Sequence, residues 1–129
     1  MELTSTGTIR VSCEAGLYRL ALEVDPAIVD YARSLVPKHV RLNRTRYAPH
    51  ISVVREAGIV VGTSAYDGEH VQFRYSPLVD HDDTYYWLRA ESGRLRRIRI
   101  ALGLMPTDWY TRPPDNQDCL HCTIGNRKL

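Results

Sequence analysis

Two stretches of the chain repeat one order of patterns, and that repeat constrains the fold more than any other feature. In the first, residues Leu17–Val24 alternate with the period of a strand. Asp25-Pro26 then has the form of a helix start, an Asp cap followed by Pro where its missing N–H costs nothing. Helical spacing of Ile28, Tyr31, Ala32 and Leu35 runs to Val36, and Pro37 ends it. A basic link, 38–49, leads to a strand over His50–Val54, with Pro49 at its mouth. In the second stretch, Thr84–Ala90 alternates and Ser92 caps a helix to about Leu104, with Leu95, Ile98, Ala101 and Leu102 inward. A loop over 105–118 and a buried strand over Leu120–Ile124 complete it. The repeated strand–helix–loop–strand order predicts an α+β fold. Its two βαβ-like lobes, about 1–56 and 84–129, would carry antiparallel or mixed sheets around a central cleft, joined by 57–83 within one domain.

Outside the repeat, Thr8–Cys13 alternates and turns back through Glu14-Ala15-Gly16. His70–Tyr75 alternates as well, and Asp80–Asp83 forms a polar turn. Residues 57–68 read as mixed strand and loop around the apolar Ile59-Val60-Val61. A chain of 129 residues with 43% hydrophobic and 25% charged residues suits a soluble globular fold rather than a coiled coil or a disordered one. Apolar runs stay far short of the ~20 residues of a membrane span, and Met1–Gly7 lacks the look of a secretory leader. A net charge of +2 is too small for a general nucleic-acid binder, so any anion must be met by a local cluster. Cys13, Cys119 and Cys122 are expected as reduced thiols in a cytoplasmic setting.

Chemistry concentrates on the two terminal strands, which read His50-Ile51-Ser52-Val53 and His121-Cys122-Thr123-Ile124. Strand alternation puts each imidazole on one face with a hydroxyl roughly 7 Å away, while the apolar alternates turn to the core. Imidazole can serve as acid or base near neutrality. Phosphodiester cleavage needs one of each on opposite sides of phosphorus, and a neighbouring hydroxyl can hold a phosphoryl oxygen. Such a site uses no metal and no cofactor.

The pair His50-x-Ser52 and His121-x-Thr123, about seventy residues apart on the duplicated pattern, resembles the 2H phosphoesterase superfamily, which includes the bacterial RNA-ligase-like cyclic phosphodiesterases. The stretches Pro49–Arg55 and Leu120–Asn126 look closest to its phage anti-CBASS branch, whose members degrade cyclic oligonucleotide messengers. The resemblance implies metal-independent hydrolysis of 3′–5′ bonds in cyclic di- or trinucleotides, in the cytoplasm of an infected host. His50 and His121 would be the acid–base pair, and Ser52 and Thr123 would hold the phosphate. Alternatives are an RNA-end enzyme opening 2′,3′-cyclic phosphates and a non-catalytic cyclic-nucleotide sponge. The expected partner is a cyclic oligonucleotide, with no stable nucleic-acid duplex and no membrane.

Further candidates surround this pair. Tyr18 and Trp87 fall on strands where they could stack bases, Trp87 in phase with Tyr85 and Arg89, although strand aromatics commonly serve the core. Arg41, Arg44 and Arg46 lead into His50 and suit phosphate steering, Arg46 most directly, while Arg55 lies just beyond the strand. Arg94, Arg96, Arg97 and Arg99 read as the solvated faces of a helix. Cys119-Leu120-His121-Cys122 lacks the second ligand pair of a structural zinc site.

Overall fold

The computed structural model describes residues 1–56 and 62–129. The apolar piece Ile59-Val60-Val61 lies outside the described residues. Six strands, β1 (Leu3–Glu14), β2 (Leu17–Glu23), β3 (His50–Glu56), β4 (His70–His81), β5 (Tyr85–Glu91) and β6 (Leu120–Asn126), close into one barrel in the order β1-β2-β3-β6-β5-β4. Every neighbouring pair is antiparallel. Two helices, α1 (Pro26–Ser34) and α2 (Gly93–Ala101), accompany it.

The closed barrel overturns the expectation of two βαβ-like lobes around a central cleft. Two seams weld the would-be lobes together. β1 is long enough to pair with β2 through Thr8–Glu14 and with β4 through Leu3–Thr8. On the far side of the ring, β3 meets β6 with Ile51 opposite Cys122. Neither seam can be read from local pattern, because Leu3–Gly7 shows no clean alternation and β3 and β6 are distant in sequence. The strand expected over His70–Tyr75 also runs on to His81, with a register shift between Tyr75 and Val79. Of the expected polar turn, Asp80 and His81 thus join the strand. The turn itself begins at Asp82, whose carboxylate accepts from the Thr84 and Tyr85 N–H groups.

Local chemistry explains the elements that were foreseen. The β1–β2 turn places Ala15 and Gly16 both at positive φ, the geometry that matches the twist of a two-residue hairpin and that glycine adopts without strain. The Asp25 carboxylate accepts from the Ala27 N–H at 3.0 Å with Pro26 opening α1, and the Ser92 hydroxyl accepts from the Leu95 N–H at 3.2 Å at the start of α2. Both helices are shorter than expected, ending at Ser34 and Ala101.

Alternation divides each strand between core and surface. Ile9, Leu20, Leu22, Ile51, Val53, Phe73, Leu88, Leu120 and Ile124 form one core, joined by Val29 and Ala32 of α1 and by Leu95 and Ile98 of α2. α2 touches both β3 and β4, which lie opposite each other in the ring, so it packs across the barrel rather than along a single wall. Tyr31, Leu35 and Ala101, placed inward from sequence spacing, are exposed. Arg99, expected on a solvated helix face, is 1% exposed. Its guanidinium donates to the carbonyls of Val53 (2.6 Å) and Met105 (2.7 Å) and to Asp108 (3.0 Å). Among the described residues, no helix is long and apolar enough to cross a membrane.

Candidate functional site

The residues that alternate with the core on β2, β3, β5 and β6 form the floor of a pocket of about 720 Å³. Its floor carries Arg19, Ala21, His50, Ser52, Tyr85, His121 and Thr123. One wall is the link between α1 and β3, through Thr45, Arg46 and Tyr47. The other is the loop between α2 and β6, through Trp109, Tyr110, Arg112 and Pro114. The four motif residues thus share one surface. They stand on neighbouring strands of a single wall, however, and not on two lobes facing across a cleft.

Each histidine ring is oriented by the loop beside it. The Nδ1–H of His50 donates to the Ala48 carbonyl at 2.8 Å, and that of His121 to the Thr111 carbonyl at 3.0 Å. A carbonyl only accepts, so Nδ1 carries the proton and Nε2 is the nitrogen left for a ligand. Burial lowers the pKa of His121. The Thr111 carbonyl and Asp115 oppose that shift, and nearby His50 adds to it. Between the motif residues, Cys122 points to the core, where burial pushes its thiol up to about 12. That makes it an inert packing group rather than a nucleophile.

Charge is the dominant property of the pocket. Arg19, Arg46, Arg55, Arg112 and Lys128 line it, and no Asp or Glu does among the described residues. The ion pairs of the described residues all involve other cations. Arg19 and Arg55 stand directly opposite each other on β2 and β3, an arrangement of like charges that costs stability. Each leans on an aromatic ring instead of a carboxylate. Arg19 lies 4.8 Å from the Tyr47 centroid and Arg55 4.5 Å from that of Tyr110. Arg46 also packs over Tyr47, at 5.7 Å. The Arg19 Nε is buried without a hydrogen-bond partner in the protein.

The other expected site residues separate. Arg46 lines the pocket, whereas Arg44 turns away to pair with Asp30 at 3.1 Å and Arg41 is not in the lining. Tyr18 is in the opposite strand phase from Arg19 and pairs across the hairpin with Cys13, whose proximity raises its pKa. Trp87 pairs with Thr123 but is 1% exposed and does not line the pocket. Sequence reasoning missed Arg19, Tyr47, Tyr85, Trp109, Tyr110, Arg112 and Lys128. A signal was present for several of them. Tyr18-Arg19, Arg46-Tyr47 and Trp109-Tyr110-Thr111-Arg112 each set a cation beside an aromatic. Among the described residues, no group of three or more His, Cys, Asp or Glu side chains could hold a metal ion.

No family model, curated protein or solved structure matches the chain. The resemblance to the 2H phosphoesterase superfamily is therefore corrected, since no match supports it and a closed barrel stands where it implied a two-lobed cleft. With it go the functions it implied: hydrolysis of cyclic oligonucleotides by a His50/His121 pair, the RNA-end alternative and the sponge.

Proposed function

We propose that the protein is a ligand-binding barrel whose pocket takes a small, multiply charged anion of the organic-phosphate class. The observation that carries this reading is the set of five cations that form no ion pair among the described residues, two of them directly opposed across β2 and β3, in a pocket without a carboxylate among those residues. Such an arrangement is costly when empty and favourable when an anion sits between the guanidinium groups. It also sets the pocket apart from a chain whose net charge is only +2. In this reading Ser52 and Thr123 donate hydroxyl hydrogen bonds to the anion, and the Nε2 atoms of His50 and His121 face it.

The test is calorimetric titration with pyrophosphate at low and moderate salt. Binding that weakens as salt rises, and that falls about tenfold or more in Arg19→Gln, supports the reading, because a hydrogen bond to a charged group contributes about 1.5–3 kcal/mol. Absence of binding at low salt overturns it. Affinity is also expected to rise as pH falls toward and below the ordinary imidazole value of about 6.5. An anion favours the imidazolium of His121, whose pKa is lowered in the free protein, so the complex binds more protons than its components.

A further inference from the structure

Trp109 is 80% exposed, although it stands at the rim of a formed pocket. Its position is not that of a loose loop tip. One Asp108 carboxylate oxygen accepts from the Tyr110 N–H at 2.8 Å and the Thr111 N–H at 2.9 Å, while the other accepts from buried Arg99 at 3.0 Å. The indole touches Tyr110 in a T-shaped contact, with centroids 5.7 Å apart and planes at 81°, and Tyr110 is itself held under Arg55. An exposed aromatic ring on a braced backbone, adjoining a row of cations, is already ordered before a ligand arrives. Little conformational freedom is then lost when a flat group lies against it.

Resting on the anion-binding reading above, we infer that Trp109 is a stacking platform that selects, among multiply charged anions, those bearing a planar aromatic ring. The anion is held by the arginines, and the ring extends past Tyr110 onto the indole. Trp109 thereby sets specificity without contributing to the anion's own affinity. Trp109 lies on the loop at 105–118, where strand phase carries no information, and that is why strand phase alone pointed to Trp87 instead.

The experiment compares adenosine 5′-diphosphate with pyrophosphate on the wild-type protein, Trp109→Ala and Trp109→Phe, by calorimetry and by quenching of tryptophan emission. The wild type should bind the nucleotide roughly tenfold more tightly than pyrophosphate, as stacking on one aromatic side chain allows. Trp109→Ala should erase that advantage while binding pyrophosphate as the wild type does, and Trp109→Phe should recover part of it. Two results overturn the stacking inference while leaving the anion reading in place. One is equal wild-type affinity for the two ligands; the other is a Trp109→Ala variant that weakens both alike. If the wild type binds neither ligand, both readings fall. Unchanged pyrophosphate affinity in Trp109→Ala doubles as the check that the variant is folded.

Discussion

The two walls of the pocket are fastened by different chemistry. The wall at 38–49 is tied through main-chain oxygens. Arg33 donates to the carbonyls of Leu42 at 2.7 Å, Ile124 at 2.8 Å and Asn43 at 3.3 Å. Asn43 and Asn126 exchange backbone hydrogen bonds of 2.8 and 3.2 Å, and the Asn43 amide side chain donates to the Lys128 carbonyl at 2.7 Å. The wall at 105–118 is tied through carboxylates. Asp108 binds Arg99, Asp115 binds Arg89, and Asp118 takes both Arg96 and the Thr107 hydroxyl. Both walls present aromatics and cations to the same pocket, yet the second depends far more on groups that titrate in acid, the first having the exposed Arg44–Asp30 pair beside its main-chain ties. Equivalent positions around a site need not share a failure mode.

Arg99→Met should have the largest effect, because it removes the central brace of the carboxylate-tied wall. The change leaves the carbonyls of Val53 and Met105 without a donor and strips Asp108 of its cation. A loss of about 3 kcal/mol or more in urea unfolding is expected from breaking a buried, hydrogen-bonded ion pair. If the loss is well under 1 kcal/mol, the wall does not hang on this guanidinium. The matching test on the other wall is Gly125→Ala. A Cβ there would meet Leu42 Cγ at 2.5 Å, Arg33 Nη1 at 2.6 Å and the Asn43 carbonyl oxygen at 2.7 Å. The link must shift outward, at a cost of about 1–3 kcal/mol. Pyrophosphate affinity should fall with it, because Arg46 and Tyr47 ride on the same link.

Acid separates the walls without mutation. Burial pushes the Asp108 carboxyl upward, but the Thr111 and Tyr110 N–H groups and Arg99 outweigh it and hold it below its ordinary value. The Thr107 hydroxyl and Arg96 likewise hold Asp118 low. A carboxyl depressed in the folded state adds stability that is complete above its unfolded pKa and is lost as pH falls through the folded one. The wall at 105–118 should therefore loosen below about pH 4, the ordinary carboxylate range. Hydrogen exchange should show Tyr110, Thr111 and Arg112 amides losing protection there before Asn43 and Asn126 do. Simultaneous loss in both walls would mean that the barrel opens as one unit.

These contrasts mark how far the sequence could be read. Local elements were legible because their causes are local: the hairpin at Ala15-Gly16, the Asp25-Pro26 and Ser92 helix starts, and the alternation of β3 and β6. Closure was not, since it depends on β1 reaching both β2 and β4 and on Ile51 meeting Cys122, pairings that no periodicity encodes. The motif residues His50, Ser52, His121 and Thr123 do gather on one surface, as strand phase implied. The chemistry assigned to them came from a resemblance whose architecture the barrel does not share. Of the cations around them the pattern named Arg46 and Arg55 but missed Arg19, Arg112 and Lys128. Arg19 and Arg55 become neighbours only through cross-strand register, and Arg99 looks like a surface arginine until the loop at 105–118 folds over it.

The smallest expected effect tests the origin of the pocket's charge. Arg55→Gln removes one member of the Arg19–Arg55 pair, which forms no ion pair with a carboxylate among the described residues. In ligand-free protein the relief of direct cross-strand repulsion should stabilise the barrel by about 0.2–1 kcal/mol. The lost stacking of Arg55 on Tyr110 offsets part of that gain, at about 0.5–1 kcal/mol for an exposed cation–π contact. The two terms nearly cancel at physiological ionic strength. Salt separates them, because repulsion between half-exposed guanidinium groups is screened. The stabilisation by Arg55→Gln should thus be largest at low salt and vanish or reverse near 1 M, while pyrophosphate binding is weakened in low salt. A substitution that destabilises equally at every salt concentration would show that Arg55 serves packing on Tyr110, and that the opposed arginines are not strained for want of an anion.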